Sequence, residues 1–560
     1  MNVAQAVGRA LARLGAHTVF GVVGSGNFEV TNALVEGGAR FVAARHEGGA
    51  ATMADAYART GGGLGVLSVH QGPGLTNALT GIAEAAKSRT PLLVLTGEVA
   101  ASAVRSNSRV DQGALARAVG AVPERIHAPE TALSDLARAC RTAVAARRTV
   151  VLGLPLDVQS APYDGPDACV PEAPHATGTA WQPAVPPLAV PPPAALARLA
   201  DALAAAERPV FLAGRGARLS GAGGPLRTLA GRCGALLATS AVARGLFRGD
   251  GFDLDVSGGF ATPVAGELIR RADLLVGWGC ALDDRTLRHG DLVGDGARLV
   301  QVDVDAEALG AHRPVDLSLI GDAAETALAV DAELARRGHR IRGHRTRAVA
   351  ARVAAEGRWR DLPFKDRSDG VRIDPRALSI ALDDLLPAER TVAVDSGNFM
   401  GYPTMYLDVP DADGLVFTQG FQAVGLGLAT AVGAALARPD RLTVAALGDG
   451  GAMMSAAELD TAARLGLGLL VVVYDDEAYG SEAHRFGAHG HPLDTVTFPP
   501  ADLAGVARAY GCDALTVRRV EDLEPVRDWL SGPRDRPFLV QAKVTSDHPA
   551  WWMTDASQGD

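Results

Sequence analysis

The chain has no continuous apolar run approaching the roughly 18 residues that a membrane span requires. Its charge is not basic either: 54 Lys and Arg stand against 64 Asp and Glu, a formal net charge of −10 over 560 residues. A nucleic-acid binder would usually present a basic face, so nucleic acid and membrane are both set aside as partners. Only five cysteines occur, Cys140, Cys169, Cys233, Cys280 and Cys512. They are scattered, odd in number and without metal-ligand spacing, which argues against a disulfide framework and for a reducing, cytoplasmic setting. The opening "MNVAQAVGRALARLGAHTVFGV" reads as an amphipathic helix entering a strand, without the basic start and apolar stretch of a signal peptide.

What is present is globular composition, with 48 % hydrophobic and 21 % charged residues, on a chain too long for one core. Proline crowds residues 160–195, where no packed helix or central strand can run, so 166–192 is expected to be a linker. A second break is expected over 341–375. The Arg-rich "RRGHRIRGHRTRAVAARVAAEGRWR" beside it reads as a solvated helix face rather than an anion site. The three remaining pieces, 1–165, 193–340 and 376–560, each alternate continuous apolar strands with helix-like runs. Examples are "LGVLSV" and "PLLVLTG", "PVFLAG" and "DLLVGWG", "LTVAALGDG" and "LLVVVYDD". Such strands belong to parallel sheets covered on both faces, so three doubly wound α/β domains are expected. Their ligands should lie beyond the carboxyl ends of the strands.

That rule directs attention to "LGDGG" and "YDDEAYG". Asp449 and Asp476 would stand at the carboxyl ends of two strands in one βαβ unit. Gly448, Gly450 and Gly451 would let a ligand approach the backbone near a helix N-terminus. Two carboxylates facing a phosphate-type loop repel the phosphate unless a hard divalent cation bridges them, and Mg²⁺ takes oxygen ligands of this kind. Read singly, the GDG is a common turn and the Asp pair a solvated loop; on one βαβ unit they point together to a metal.

The spacing from GDG to "xxYG" resembles the signature of thiamine-diphosphate (ThDP) enzymes, whose pattern carries Asn-Asn where this chain has Asp475–Asp476. The resemblance implies Asp449, Asp476 and the carbonyl of Ala478 as Mg²⁺ ligands. It implies Gly448, Gly450, Gly451, Ala452 and Tyr479 around the diphosphate, with an extra negative charge where Asp replaces Asn. "RHEGGAATMADAYARTGG" resembles a block of the acetolactate synthase, pyruvate decarboxylase and benzoylformate decarboxylase superfamily. By that match Glu47 contacts N1′ of the aminopyrimidine; otherwise it is an ordinary helix glutamate.

"GPGLTNALTGIAEAAKSRTPLLVLTG" extends the likeness. His70 at its lip either relays protons during carbonyl addition or only binds backbone. "VDQG" makes Gln112 a further catalytic candidate, and "VVGSGNF" places Ser25 near a substrate-facing position. "DSGNF" and "QGFQAVGLGLATAVGAALA" open the third domain as the family does. They imply Gly397, Asn398 and Gln422 at the cofactor, and Val424 where a bulkier side chain usually props it into a bent shape. In this family the first domain's glutamate and the third domain's diphosphate site meet between subunits, which implies at least a homodimer, and tetramers are frequent.

The middle domain is less telling. "GWGCALDDRTLRHG" resembles the FAD-holding domain of acetolactate synthases, but "GRG" at 214–216 lacks the third glycine of a dinucleotide fingerprint, Leu219 standing there. ThDP and Mg²⁺ are therefore the expected cofactors, with FAD not favoured. The expected activity is decarboxylation of a small 2-oxo acid followed by carboligation to an aldehyde or second oxo acid. Simple non-oxidative decarboxylation is the alternative. An NAD- or FAD-dependent oxidoreductase and a non-catalytic paralogue are the remaining classes.

Overall fold

The computed structural model describes residues 1–61, 63–165, 189–339, 343–546 and 552. Most of the expected Pro-rich linker, and Cys169 with it, lies outside the described residues.

Three six-stranded sheets, all of whose pairings are parallel, carry helices on their faces, as the runs of apolar residues predict. The strands are buried on both sides: all seven residues of Leu469–Asp475 are inaccessible. Counted in chain order within each domain, the first and third sheets have strand order 2-1-3-4-6-5 and the middle sheet 3-2-1-4-5-6. In such sheets the order reverses beside the first strand, and the crevice outside the carboxyl ends there is the place for a ligand. In the third sheet this point lies between Arg390–Val394 and Leu442–Gly448. In the first it lies between Thr18–Gly21 and Gly65–Val69.

The first and third domains share a core. Phe20, Met53, Leu75 and Ile82 pack in one cluster with Leu428, Val432, Leu447 and Val471. Its seam is formed by the helices Glu47–Gly61 and Gly427–Ala437, both rich in small residues. A Cβ at Gly433 would lie 2.2 Å from the Met53 carbonyl oxygen, so only hydrogen fits where these helices touch. The middle domain has its own core around Trp278, Phe211 and Phe247. The stretch expected as a second linker contains a helix, Arg347–Glu356, whose Val349 and Val353 join the middle domain's other core. Its apolar side, with valines four apart, was hidden among the arginines. Arg352 of the same helix pairs with Glu267 at 2.8 Å, in keeping with a solvated face.

Candidate active site

The loop after Arg390–Val394 begins with Asp395, which has no exposed surface. Its carboxylate accepts from the backbone N–H groups of Ser396, Gly425 and Leu426 at 2.8 to 3.2 Å. It thereby ties the 395–398 loop to the turn that carries Val424. Burial pushes this carboxyl up to about 6 in spite of those donors. Gly425 needs its φ of 91°, and a Cβ at Gly451 would come within 2.4 Å of Asp395 Oδ2.

Across the crevice the strand Leu442–Gly448 ends at Gly448, and Asp449 opens the helix Asp449–Ser455. The neighbouring strand delivers Asp476. Asp449 and Asp476 line the same cavity, close enough for the charge of Asp476 to bear on Asp449. Both carboxyls are raised above the ordinary range, first by burial and then by the neighbouring acids. The next residues are fitted closely: a Cβ at Gly450 would meet the Tyr479 ring at 2.7 Å, and one at Gly480 would meet Asp476 Oδ2 at 2.4 Å.

The remaining charges of the turn are balanced. Lys543 donates to Asp475 at 2.6 Å and to Glu477 at 3.1 Å, and Arg372 pairs with Glu477 at 2.6 Å. Four acids, Asp449, Asp475, Asp476 and Glu477, thus face two cations, and the unmatched pair is Asp449–Asp476. Among the described residues no three His, Cys, Asp or Glu side chains gather as a metal site. An ion at this pair would complete its shell with backbone carbonyl, cofactor and water oxygens, as a small hard cation does.

These residues open onto a cavity of about 2110 Å³ that also reaches the middle domain. Gly397, Asn398, Gln422, Val424 and Tyr479 line it, together with Gly448, Gly450, Gly451, Asp449, Asp476 and Ala478. Two buried amide atoms on its wall, Asn398 Oδ1 and Gln419 Nε2, have no hydrogen-bond partner among the described residues. Buried polar groups are rarely left so. Val424 and Met454, 42 % and 58 % exposed, supply apolar surface beside them. Paired carboxylates, glycine-bared backbone, unpartnered amides and an apolar ledge fit a metal-bridged diphosphate with an organic ring attached. Ala452 departs from expectation: it points into the shared core and does not line the cavity.

The first-domain candidates do not line this cavity. Glu47 opens the helix Glu47–Gly61, half-buried, and accepts from Asn77 Nδ2 at 3.1 Å. Glu458 of the third domain fixes the approach to that helix by accepting from the N–H groups of Arg45 and His46. His70 and Ser25 sit on the two loops at the first domain's switch point. His70 Nδ1 accepts from the Gly26 N–H at 3.1 Å, so in the neutral ring the proton resides on Nε2. Ser25 is exposed. Gln112 is 8 % exposed and turned inward: it donates to the Gly97 carbonyl at 2.8 Å and accepts from Thr96 Oγ1 at 2.9 Å. These bonds pin its helix to the adjacent strand.

Asp395, Gln419, Asn77, Glu458 and Lys543 escaped the sequence reading. Asp395 carried a signal, an acid at the end of "TVAV" followed by Ser-Gly. The others act through contacts between distant segments, which spacing does not reveal.

At the mouth of the middle sheet, the Gly216 N–H donates to the Gly279 carbonyl at 2.9 Å. A Cβ at Gly214 would lie 2.3 Å from that oxygen. These glycines serve loop-to-loop packing, and Leu219 is 40 % exposed.

Comparison with known proteins agrees with this geometry. Residues 1–118 match the family model for the N-terminal TPP binding domain of thiamine pyrophosphate enzymes, 196–330 the central domain and 395–542 the C-terminal TPP binding domain. The "Probable 2-ketoarginine decarboxylase" of Pseudomonas aeruginosa is 31 % identical over 95 % of this chain and 92 % of its own. The "Acetolactate synthase isozyme 2 large subunit" of Escherichia coli is 28 % identical over 98 % and 97 % respectively. The catabolic acetolactate synthase of Raoultella terrigena is 28 % identical over 91 % and 89 %. The chain belongs to the thiamine-diphosphate-dependent enzymes, on the side of the family that contains decarboxylases and acetolactate synthases.

Proposed function

We propose that this enzyme uses ThDP and Mg²⁺ to decarboxylate a small 2-oxo acid and join the remaining fragment to a second carbonyl compound. The observation that carries the reading is the half-buried Asp449–Asp476 pair beside the Asn398 and Gln419 amides, at the switch point of the third sheet. When bound, ThDP would supply a nucleophilic carbon and an electron sink for the decarboxylation.

The chain's own residues have separate tasks. Asp449, Asp476 and the Ala478 carbonyl would hold the metal, and Gly448, Gly450 and Gly451 would leave room for the diphosphate. Val424 and Met454 would keep water from the reacting face. Glu47 would hold a proton at the aminopyrimidine, and His70 would offer its Nε2 proton to a developing alkoxide. Since Glu47, His70 and Ser25 stand apart from the Asp449 cavity within one chain, two copies are needed, each completing the other's site. The apolar rim of Phe421, Val424, Met453 and Met454, 42–58 % exposed, supports such an interface. A cytoplasmic location accords with the small number of cysteines, the four described ones being free and buried.

The likeness to a protein named as a decarboxylase supports the second reading, decarboxylation with a proton as the final acceptor. A panel of 2-oxo acids assayed for CO₂ release with and without aldehydes separates the two. Carboligation requires a new C–C product in the presence of acceptor. Aldehyde release alone supports simple decarboxylation, and no CO₂ from any donor defeats both.

A further inference from the structure

Asp476 is the middle of three consecutive acids, and its neighbours are bound by one lysine. Lys543 ends the strand Phe538–Lys543, which pairs with Leu469–Asp475 so that Lys543 is in register with Asp475. Both residues are buried, at 5 % and 2 % exposure. The Lys543 ammonium donates to Asp475 Oδ2 at 2.6 Å and to Glu477 Oε1 at 3.1 Å. Gln541 donates to the same Asp475 oxygen at 2.7 Å, and Arg372 holds the other Glu477 oxygen at 2.6 Å.

Glu477 meanwhile has φ of 58°, a left-handed backbone that a glutamate does not adopt without being held. Its N–H donates to Asp475 Oδ1 at 3.2 Å, closing the turn on itself. The flanking side chains are thus drawn to one side of the turn, toward Lys543. Asp476 between them lines the cavity with Asp449, whereas Asp475 and Glu477 do not.

We propose that Lys543 is the positioning residue of the metal-ligand turn: by gripping Asp475 and Glu477 it aims the Asp476 carboxylate at Asp449. The proposal rests on the metal reading given above. It also explains how the chain accommodates an aspartate at 475 where the family pattern has asparagine. The added charge never reaches the diphosphate side, because a buried cation on the neighbouring strand answers it. Without that cation Asp475 would be a lone buried carboxylate, a costly state relieved by shifting the turn.

The test titrates Mn²⁺ into metal-stripped, full-length protein with ThDP present, reading the free ion by electron paramagnetic resonance. K543M should weaken Mn²⁺ binding about 10-fold or more, the usual scale for groups that orient metal ligands. D475N/K543M should recover part of that loss, since an amide at 475 needs no counter-charge and can still accept from Gln541, while the Glu477 arm stays released. A merely structural lysine predicts that both variants lose thermal stability while Mn²⁺ affinity stays unchanged. E477Q releases the other arm of the grip at a less buried position, and should weaken binding even if K543M does not accumulate as folded protein. Parental affinity in K543M, or in E477Q where only that variant folds, overturns the proposal. So does a double variant no better than K543M. D449A separates the underlying reading: if it binds Mn²⁺ as the parent does, the metal assignment fails and the proposal falls with it.

Discussion

Glu84→Gln should loosen the loop that carries the cofactor-facing residues, although Glu84 lies in the first domain and touches no ligand. Glu84 has no exposed surface. It accepts from Arg59 at 2.8 Å, from Ser88 at 3.1 Å, and across the domain boundary from the N–H groups of Gly420 at 3.1 Å and Phe421 at 2.6 Å. Those two amides directly precede Gln422, itself held at φ of 63°. Glutamine keeps the shape but replaces one acceptor oxygen by an NH₂ group, which must confront either Arg59 or a backbone donor. Removing one partner of a buried ion pair costs about 3–5 kcal/mol. Arg59 retains Asp55 at 2.5 Å, so the low end applies, about 3 kcal/mol.

A three-domain chain does not unfold in one step, so a global unfolding curve would blur this term. Hydrogen exchange at residues 418–426 reads it locally: a loss of about 3 kcal/mol makes exchange through loop opening about 10²-fold faster. ThDP affinity should fall alongside. Burial pushes the Glu84 carboxyl up, but Arg59 and the two N–H donors outweigh it and hold it below its ordinary 4.5. A carboxyl lowered in the folded state stabilises fully above its ordinary value and loses that contribution as pH falls through the lowered one. Parental protection should therefore persist at neutral pH and fade only in acid below about 4.5. Exchange in the variant within threefold of the parent at pH 7 would refute the argument.

Chelation should strip ThDP in equilibrium dialysis, and Mg²⁺ should restore it; binding that survives without metal removes the roles given to Asp449 and Asp476. Asp476→Asn keeps an oxygen ligand and should be tolerated, whereas Asp449→Ala should abolish metal-dependent ThDP binding. Glu47→Gln should retain ThDP but slow exchange of its C2 proton with deuterated water by about 10²-fold or more, followed by NMR after acid quench. His70→Ala should lower kcat by about 10²-fold with ThDP affinity unchanged. Gln112→Ala, by contrast, should cost roughly 1–3 kcal/mol of local stability through its two hydrogen bonds, seen as faster exchange in residues 112–118. Gly433→Ala should lower the melting temperature, because its Cβ meets the Met53 backbone and forces the helices apart, at about 1–3 kcal/mol.

The sheets were legible because a strand buried on both faces cannot hide its composition. "LLVVVYD" and "LTVAALG" allow little else, and the strand-end rule then locates Asp449 and Asp476 without any knowledge of strand order. The helix Arg347–Glu356 lies within the stretch expected as a linker; its arginines were legible as a solvated helix face, its two inward valines were not. Gln112 was legible as a position but not as an orientation. Nothing in "VDQG" says that its amide turns back to Thr96 and Gly97, since that depends on where a separate strand ends.

The same limit governs the most unusual feature of the site. Read along the chain, "YDDEAYG" presents three adjacent acids, and their sum beside a diphosphate looks unfavourable. The sheet removes that difficulty by geometry. Lys543 belongs to a strand whose register with Leu469–Asp475 is fixed by a ladder from Leu470–Phe538 to Asp475–Lys543. Slipping that register by one residue would turn Lys543 to the other face and leave Asp475 unanswered. The buried apolar residues of both strands, Val471, Val472 and Val473 on one and Leu539, Val540 and Ala542 on the other, forbid the slip. The hydrophobic pattern that makes the fold is therefore also what sets the charge of the metal-ligand turn.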